Sequence, residues 1–215
     1  MAISAKQVAE LRRMTGAGMM DCKKALSEND GDMDKAVEYL QKKNLAAVAK
    51  RAGRVAAEGA IGAYVHGGRI GVLVEINSET DFVARNEDFQ ALLKDVAMHV
   101  AATNPQYLDE TEIPEAVVTK QREIFIAQMA DSGKPEAIMG KIIDGKLAKW
   151  KKEICLVDQP FVKDTDKTVG QHVTDVASRI KENIKIRRFV RFEVGEGIEK
   201  EETDFAAEVA AAAGS

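Results

Sequence analysis

Three aspartates, Asp30, Asp32 and Asp34, stand at alternate positions, the spacing at which an EF-hand loop offers oxygen ligands to calcium. That loop needs glycine at its sixth position and a bidentate glutamate at its twelfth. Lys35 and Gln41 stand there instead, so the acids read as capping and helix-dipole residues at a helix N-terminus. His66, His99 and His172 show no metal-ligand spacing, and neither Cys22 nor Cys155 has a partner nearby in sequence. A phosphate-cradling loop requires G-x-x-x-x-G-K-[ST]; the Gly-Lys pairs here are followed by Pro135, Ile142 and Leu147. "TGAGMM", Thr15 to Met20, lacks the third glycine and the preceding strand of a dinucleotide site. Cys22 falls in a helical stretch, where a small apolar side chain is ordinary, and a Cys–His pair formed only in three dimensions stays open. The chain reads as having no active site, metal or cofactor, and as working by contact.

Residues suited to contact are present. In "INSETDFVARNEDF" a β-like run ends at Asn77 and a helical pattern starts near Asn86. Between them Phe82 sits in a polar turn with Thr80, Asp81 and Arg85. Surface turns are polar because a buried loop strands backbone hydrogen-bonding groups. The ring therefore belongs either to its own core or to another molecule's pocket. Met19 and Met20 follow a glycine turn directly; helix neighbours point about 100° apart, so one can face a small core and both cannot easily do so. The alternative, that both fill the core edge, stays open. "KIRRFVRF" offers Arg187, Arg188, Arg191 and Phe189 on what reads as an exposed sheet face, as in RNA-binding platforms, although the aromatic motif of such platforms is missing. From Lys42 to Arg54 the chain carries five basic residues and no acid: a solvated helix face running into a linker, or a contact for nucleic acid or an acidic partner.

The elements that must hold these residues follow from periodicity. Ser4 and Gln7 fit a capping box ahead of Val8 and Leu11. "TGAG" breaks that helix, "MMDCKKAL" resumes it, and Met33, Ala36, Val37 and Leu40 mark a third. "AIGAYVH" and "RIGVLVEIN" flank Gly67-Gly68, which suits a two-residue primed turn, and Ile70, Val72, Val74 and Ile76 share one face by period two. Phe89, Leu92, Leu93, Val96 and Val100 predict a helix to cover that face. "PEAVVTKQREIFIAQMA" predicts another, "KPEAIMGKIIDG" and "KLAKWKKEICL" two shorter ones split at Gly145, and "QPFVKDTDK" a loop. Thr168 caps a helix with Val169, Val173, Val176 and Ile180; "NIKIRRFVRFEV" is a third strand, and "DFAAEVAAAA" a last helix behind Thr203. The fold class is α+β: a three-helix N-terminal module, a small three-stranded antiparallel sheet packed by helices, and a C-terminal helix.

With 215 residues, 45% of them hydrophobic, there is enough chain for a real core. A net charge of -4 argues against binding a polyanion through bulk charge. No apolar run approaches the roughly 20 residues of a membrane span, and "MAISAKQVAELRR" has no apolar signal core. Together with two unpaired cysteines, this leads us to expect a cytoplasmic protein.

"LRRMTGAGMMDCKKAL", "HGGRIGVLVEI", "SETDFVARNEDF", "AMHVAA", "SGKP", "DQPFVKDTDKTVGQ" and "RFEVGEGIEKEETDFAAEVAA", in chain order, resemble the bacterial elongation factor Ts family. The resemblance implies a guanine-nucleotide exchange factor for elongation factor Tu, the GTPase that carries aminoacyl-tRNA to the ribosome. It implies a ubiquitin-associated-like helical module with its basic linker over 1–54, a core domain over 55–197 and a C-terminal module over 198–215. In the family a T-D-F-V loop invades the GTPase near its Mg2+ site; here that loop is Thr80, Asp81, Phe82 and Val83. Leu11, Met19 and Met20 fall where the family's N-terminal module touches a helix of the GTPase domain. His66 and His99 lie in segments that match those reaching another domain of the partner. No catalytic chemistry, direct nucleic-acid contact or membrane contact is implied. Longer members have two core subdomains and a helical coiled-coil insertion. This chain reads as the short form, with one hairpin, one returning strand and no such insertion. Its hairpin and tail resemble the second core repeat, and the loop after the hairpin the first. Some short forms pair as homodimers, which implies a two-plus-two complex.

Overall fold

Ser4 opens α1 (Ala5–Thr15) through a complete capping box with Gln7. Gly16, left-handed at φ 66°, closes the helix. After Gly18, α2 (Met19–Glu28) runs to Asn29, and the Asp32 side chain accepts from the Lys35 N–H to start α3 (Met33–Arg51). Asp32 is thus a helix cap. Val8, Leu11, Cys22, Ala25, Leu26, Ala36 and Leu40 form a small core of their own between these helices. In this computed structural model residues 3–129 and 135–198 are described, so the helix expected behind Thr203 lies outside the described residues.

The hairpin pairs β1 (Glu58–His66) with β2 (Ile70–Ser78) antiparallel. Gly67 and Gly68 both adopt positive φ, and the turn is closed by Arg69 N–H donating to the His66 carbonyl at 3.0 Å. Pairing begins at His66↔Ile70, so the loop holds three residues rather than the expected two. Arg69 is drawn out of the ladder, and its carbonyl accepts from Val194 N–H at 2.9 Å.

A one-turn helix, α4 (Asp81–Ala84), leads into α5 (Glu87–Thr103), which is capped by Asn86. Phe89, Leu92, Leu93, Val96 and Val100 of α5 lie in the same core as Val72, Val74 and Ile76 of β2. Gly62 sets the closeness of this packing: a Cβ there would fall 2.6 Å from Leu93 Cγ.

Next come α6 (Glu115–Met129) and α7 (Glu136–Ile154). Ile113, Val117 and Val118 pack with Trp150, Ile154 and Cys155 at one end of the pair. Met129 and Phe125 pack with Met139, Ile143 and Leu147 at the other. The two helices are therefore an antiparallel pair, joined midway by Arg122 to Asp144 at 2.8 Å. This overturns two expectations. α7 runs unbroken through Gly140 and Gly145, and the chain does carry a helical hairpin of the kind expected to be absent. Helix interruption by a glycine costs only about 1 kcal/mol, less than the burial of Ile143 and Leu147 returns.

The segment expected as a loop holds a small ribbon, β3 (Pro160–Phe161) with β4 (Asp164–Thr168). A second complete capping box, Thr168 with Gln171, starts α8 (Val169–Ile180). Finally β5 (Lys185–Glu193) pairs antiparallel with β2, so the main sheet has the order β1-β2-β5. Val169, Val173, Val176 and Ala177 of α8 join α5 in covering its inner face.

Candidate functional site

The corner after β2 decides on which side of the surface the aromatic in the turn lies. The Ser78 hydroxyl, fully buried, donates to the Thr80 carbonyl at 2.9 Å, and Arg85 and Asn86 N–H groups donate back to Phe82 and Val83 carbonyls. The resulting single turn sends neighbours in opposite directions. Val83 and Ala84 pack against the main core, whereas Phe82 is 79% exposed. Thr80 and Asp81 are exposed too, and Asp81 makes only a loose pair with Arg85 at 3.7 Å. The ring stands outside this chain's own packing on a backbone fixed from below.

Met19 and Met20, in the first turn of α2, are 48% and 75% exposed. Neither fills the core edge. Met14, in the last turn of α1, is exposed as well, so methionines flank the glycine turn on both sides. Sequence reasoning passed over Met14, whose helical position looked ordinary. Leu11 is 0% exposed and belongs to the module's core. As a direct contact it is overturned: the stripe that predicts its helix is the stripe that buries it.

The glycine turn and the Phe82 corner converge on the C-terminal end of α8. A Cβ at Gly16 would meet Arg179 Cδ at 3.5 Å, and Arg179 Nε lies 3.7 Å from Asp88 Oδ2 at the start of α5. Two residues after α8, Glu182 accepts hydrogen bonds from the corner itself.

His66 is exposed at the hairpin end, its Nδ1 3.1 Å from the Tyr64 hydroxyl. It lies at the opposite end of β2 from Phe82, roughly 25 Å away at ~3.3 Å per residue. A single partner touching both must present an extended surface. His99 is not at a surface: it is 0% exposed. Its Nδ1 accepts from Val162 N–H at 3.3 Å, and its Nε2 lies 2.9 Å from Gln159 Oε1. Gln159 Oε1 also accepts from the Thr103 hydroxyl, while its Nε2 donates to the Glu153 carbonyl at 2.6 Å. These roles assign the neutral ring with hydrogen on Nε2. Burial lowers the pKa of His99, against a smaller raising effect of Gln159. As a direct partner contact His99 is therefore overturned; it braces the ribbon against α5.

The arginines and Phe189 of the basic strand do not share one exposed face. Ile186 pairs with Ile76 and Arg188 with Glu75, leaving Arg187 as a bulge. The inserted residue switches faces, so Phe189 packs on the core and Phe192 is 66% exposed. Arg188 pairs with Glu75 at 2.7 Å, and the largely buried Arg191 with Glu193. The open side of the sheet is instead apolar, with Ile61, Val65, Leu73, Val190 and Phe192 exposed on it.

Both cysteines are buried and free. Burial, followed by Asp158 and Glu110, pushes the Cys155 thiol up to about 11, which makes it a poor nucleophile at neutral pH. Among the described residues no cluster of His, Cys, Asp or Glu is arranged to hold a metal ion. No described helix is long and apolar enough to cross a membrane.

This geometry belongs with a family match over most of the chain, since the model for elongation factor Ts matches residues 6–196. The chain is 59% identical to elongation factor Ts of Geobacter sulfurreducens over 215 residues, covering 100% of both chains. To that of Geobacter metallireducens it is 60% identical over the same span and coverage. To that of Alkaliphilus metalliredigens it is 59% identical over 210 residues, 98% of each chain. The chain belongs to the elongation factor Ts family of translation elongation factors.

Proposed function

We propose that this chain is a guanine-nucleotide exchange factor that binds elongation factor Tu·GDP, perturbs its Mg2+ site and promotes GDP release so that GTP can rebind. The observation that carries the reading is the outward ring of Phe82 on a corner anchored by Val83 and Ala84. Mg2+ demands near-octahedral coordination and tolerates little distortion. A ring wedged beside its ligands weakens metal and phosphate binding together. Factor and GDP then disfavour each other reciprocally, by ~1–3 kcal/mol for ordinary coupled sites and more for a strong exchanger. No bond is made or broken, so the chain needs no catalytic base and no cofactor.

Thr80, Asp81, Phe82 and Val83 form the invading segment on this reading, with Val83 as its inward anchor. Met19 and Met20 supply an adaptable apolar contact to a helix of the GTPase domain, with Met14 beside them. His66 reaches another domain of the partner from the far end of the hairpin. The organisation is 1–54 as N-terminal module and linker, 55–197 as core and 198–215 as C-terminal module; the separate packing of α1–α3 supports the first boundary. Nucleic acid and membrane have no part in the reading, and the compartment is the cytoplasm. Pairing with a second copy, giving a two-plus-two complex, is supported by the open apolar side of the sheet.

Mixing the chain with elongation factor Tu loaded with a fluorescent GDP, in excess unlabelled nucleotide, tests the proposal. Release accelerated in proportion to added chain, and slowed again by excess Mg2+, is the expected result. Release at the spontaneous rate overturns it.

A further inference from the structure

The corner that carries Phe82 is held by a residue 100 positions further along the chain. Glu182 Oε2 accepts from the backbone N–H groups of Glu79 and Thr80, each at 3.1 Å, and Oε1 accepts from the Thr80 hydroxyl at 2.7 Å. Thr80 occupies the N-cap position of α4, yet its side chain makes no capping bond there. The hydroxyl that would ordinarily satisfy a helix amide is committed to Glu182 instead. Glu182 is itself aimed by Lys181, which ends α8 in the left-handed region at φ 67°, a conformation that favours glycine.

The neighbouring residue completes the joint. Asn183, buried, donates its N–H to Glu79 Oε1 at 2.7 Å and its side-chain amide to the Ala52 and Arg54 carbonyls. The Arg54 guanidinium reaches Glu79 at 3.3 Å. The Glu79 carboxyl is held below its usual range first by the Asn183 N–H, with Arg54 assisting. The turn after α8 thus grips the end of β2, the start of α4 and the exit from α3 at once.

We propose that Glu182 is a positioning residue for nucleotide exchange: by gathering three donors of Glu79 and Thr80, it fixes the direction in which Phe82 leaves the surface. The inference rests on the exchange reading above. Without the carboxylate, two backbone amides lose their acceptor, and the Thr80 hydroxyl is released to cap α4. That reorients the one turn on which the ring stands, while Met19, Met20 and His66 keep their places. The loss therefore falls on the maximal exchange rate rather than on the concentration of chain needed to reach half of it.

The test compares Glu182→Ala, Glu182→Gln and Phe82→Ala in the full chain. Thermal melts come first; if Glu182→Ala fails to fold, Glu182→Gln, which keeps one acceptor oxygen, takes its place. Amide hydrogen exchange in the free protein is expected to show Glu79 and Thr80 losing protection by about tenfold or more. In the GDP-release assay the maximal rate is expected to fall about tenfold for Glu182→Ala and less for Glu182→Gln, with half-saturation within a factor of about two. Wild-type protection at both amides overturns the clamp whatever the release assay gives. Lost protection with a wild-type maximal rate overturns the positioning role. If Phe82→Ala also releases GDP at the wild-type rate, the exchange reading fails, and the amide result still decides the clamp separately.

Discussion

Replacing Phe82 with alanine separates a ring that serves this chain from one that serves a partner. Fully burying a phenylalanine side chain is worth ~1.5–3 kcal/mol. With 79% of Phe82 exposed, about one fifth of that, roughly 0.3–0.6 kcal/mol, is available to the isolated chain. For a protein of this length 1 kcal/mol moves Tm by about 2–4 °C, so Phe82→Ala should melt within about 2 °C of wild type. The remaining four fifths, roughly 1.2–2.4 kcal/mol, can be realised only in a complex. At tenfold per 1.4 kcal/mol, it corresponds to a loss of about 7- to 50-fold in stimulated GDP release. Stopped-flow release of fluorescent GDP from elongation factor Tu, run beside a thermal melt, reads both quantities on one preparation. A variant that melts as wild type and releases GDP as fast would refute the reasoning. So would one that loses more than about 3 kcal/mol of stability, the cost of emptying a core site, because the ring would then belong to the fold.

Other perturbations test the scaffold. Gly62→Ala places a methyl 2.6 Å from Leu93 Cγ; it should cost about 1–3 kcal/mol by overpacking, seen as a lower melting temperature with exchange preserved below the melt. Burial lowers the pKa of His99, and burial followed by Lys167 lowers that of His172, from an ordinary 6.5. The unfolded chain therefore binds these protons at higher pH than the folded one. Stability from this source is full above pH 6.5 and falls as the pH drops below it, so the urea midpoint should be lower at mildly acidic pH, and less so in His99→Gln. Glu79 acts in a separate window: its depressed carboxyl contributes above the ordinary 4.5 and loses that contribution as acid protonates the folded state. Phe192→Glu puts a charge on the open apolar side of the sheet. Sedimentation should show wild-type chain dimerising with concentration and the variant remaining monomeric; a wild type that stays monomeric rejects pairing through this face.

What the sequence made legible was local. Ser4 with Gln7 and Thr168 with Gln171 announce helix starts because cap and partner are three residues apart. Val72, Val74 and Ile76 announce a face because alternation is a property of one strand. Phe82 was legible as an anomaly, an aromatic in a polar turn. The misses arose where a distant segment decides. Leu11 and His99 sit in segments that match contact regions, yet each is claimed by its own core, and burial is not written in a motif. Phe189, read as exposed, packs on the core because the Arg187 bulge inserts one residue, and a slip of one reverses the faces of a strand. Gly145 of α7 looks like a break until α6 supplies the apolar surface that outweighs it. Glu182 gave no signal at all: in "KENIK" it is one more surface acid, and its meaning lies in donors 102 and 103 positions away.

Exposure alone does not make an aromatic a wedge, since a ring on a mobile loop spends binding energy on being ordered. Immobilising a side chain on association costs about 0.5–1.5 kcal/mol, and ordering its loop adds to that. At this corner the backbone cost is met in folding. Val83 and Ala84 are seated in the core, Ser78 and Asn86 fix the two ends of the turn, and Glu182 closes its outer side. Only the two side-chain torsions of Phe82 are left to settle when a partner arrives. The same chain places the other exposed residues proposed for contact at a distance: the methionines on a separately packed module and His66 at the far end of a nine-residue strand. Broad contacts of that kind can hold a partner in register, while a narrow, pre-set one acts on a single point. A small rigid projection inside a wide footprint converts affinity gained elsewhere into local distortion. On the exchange function proposed above, that division of labour is what displacing a tightly held nucleotide from a partner requires.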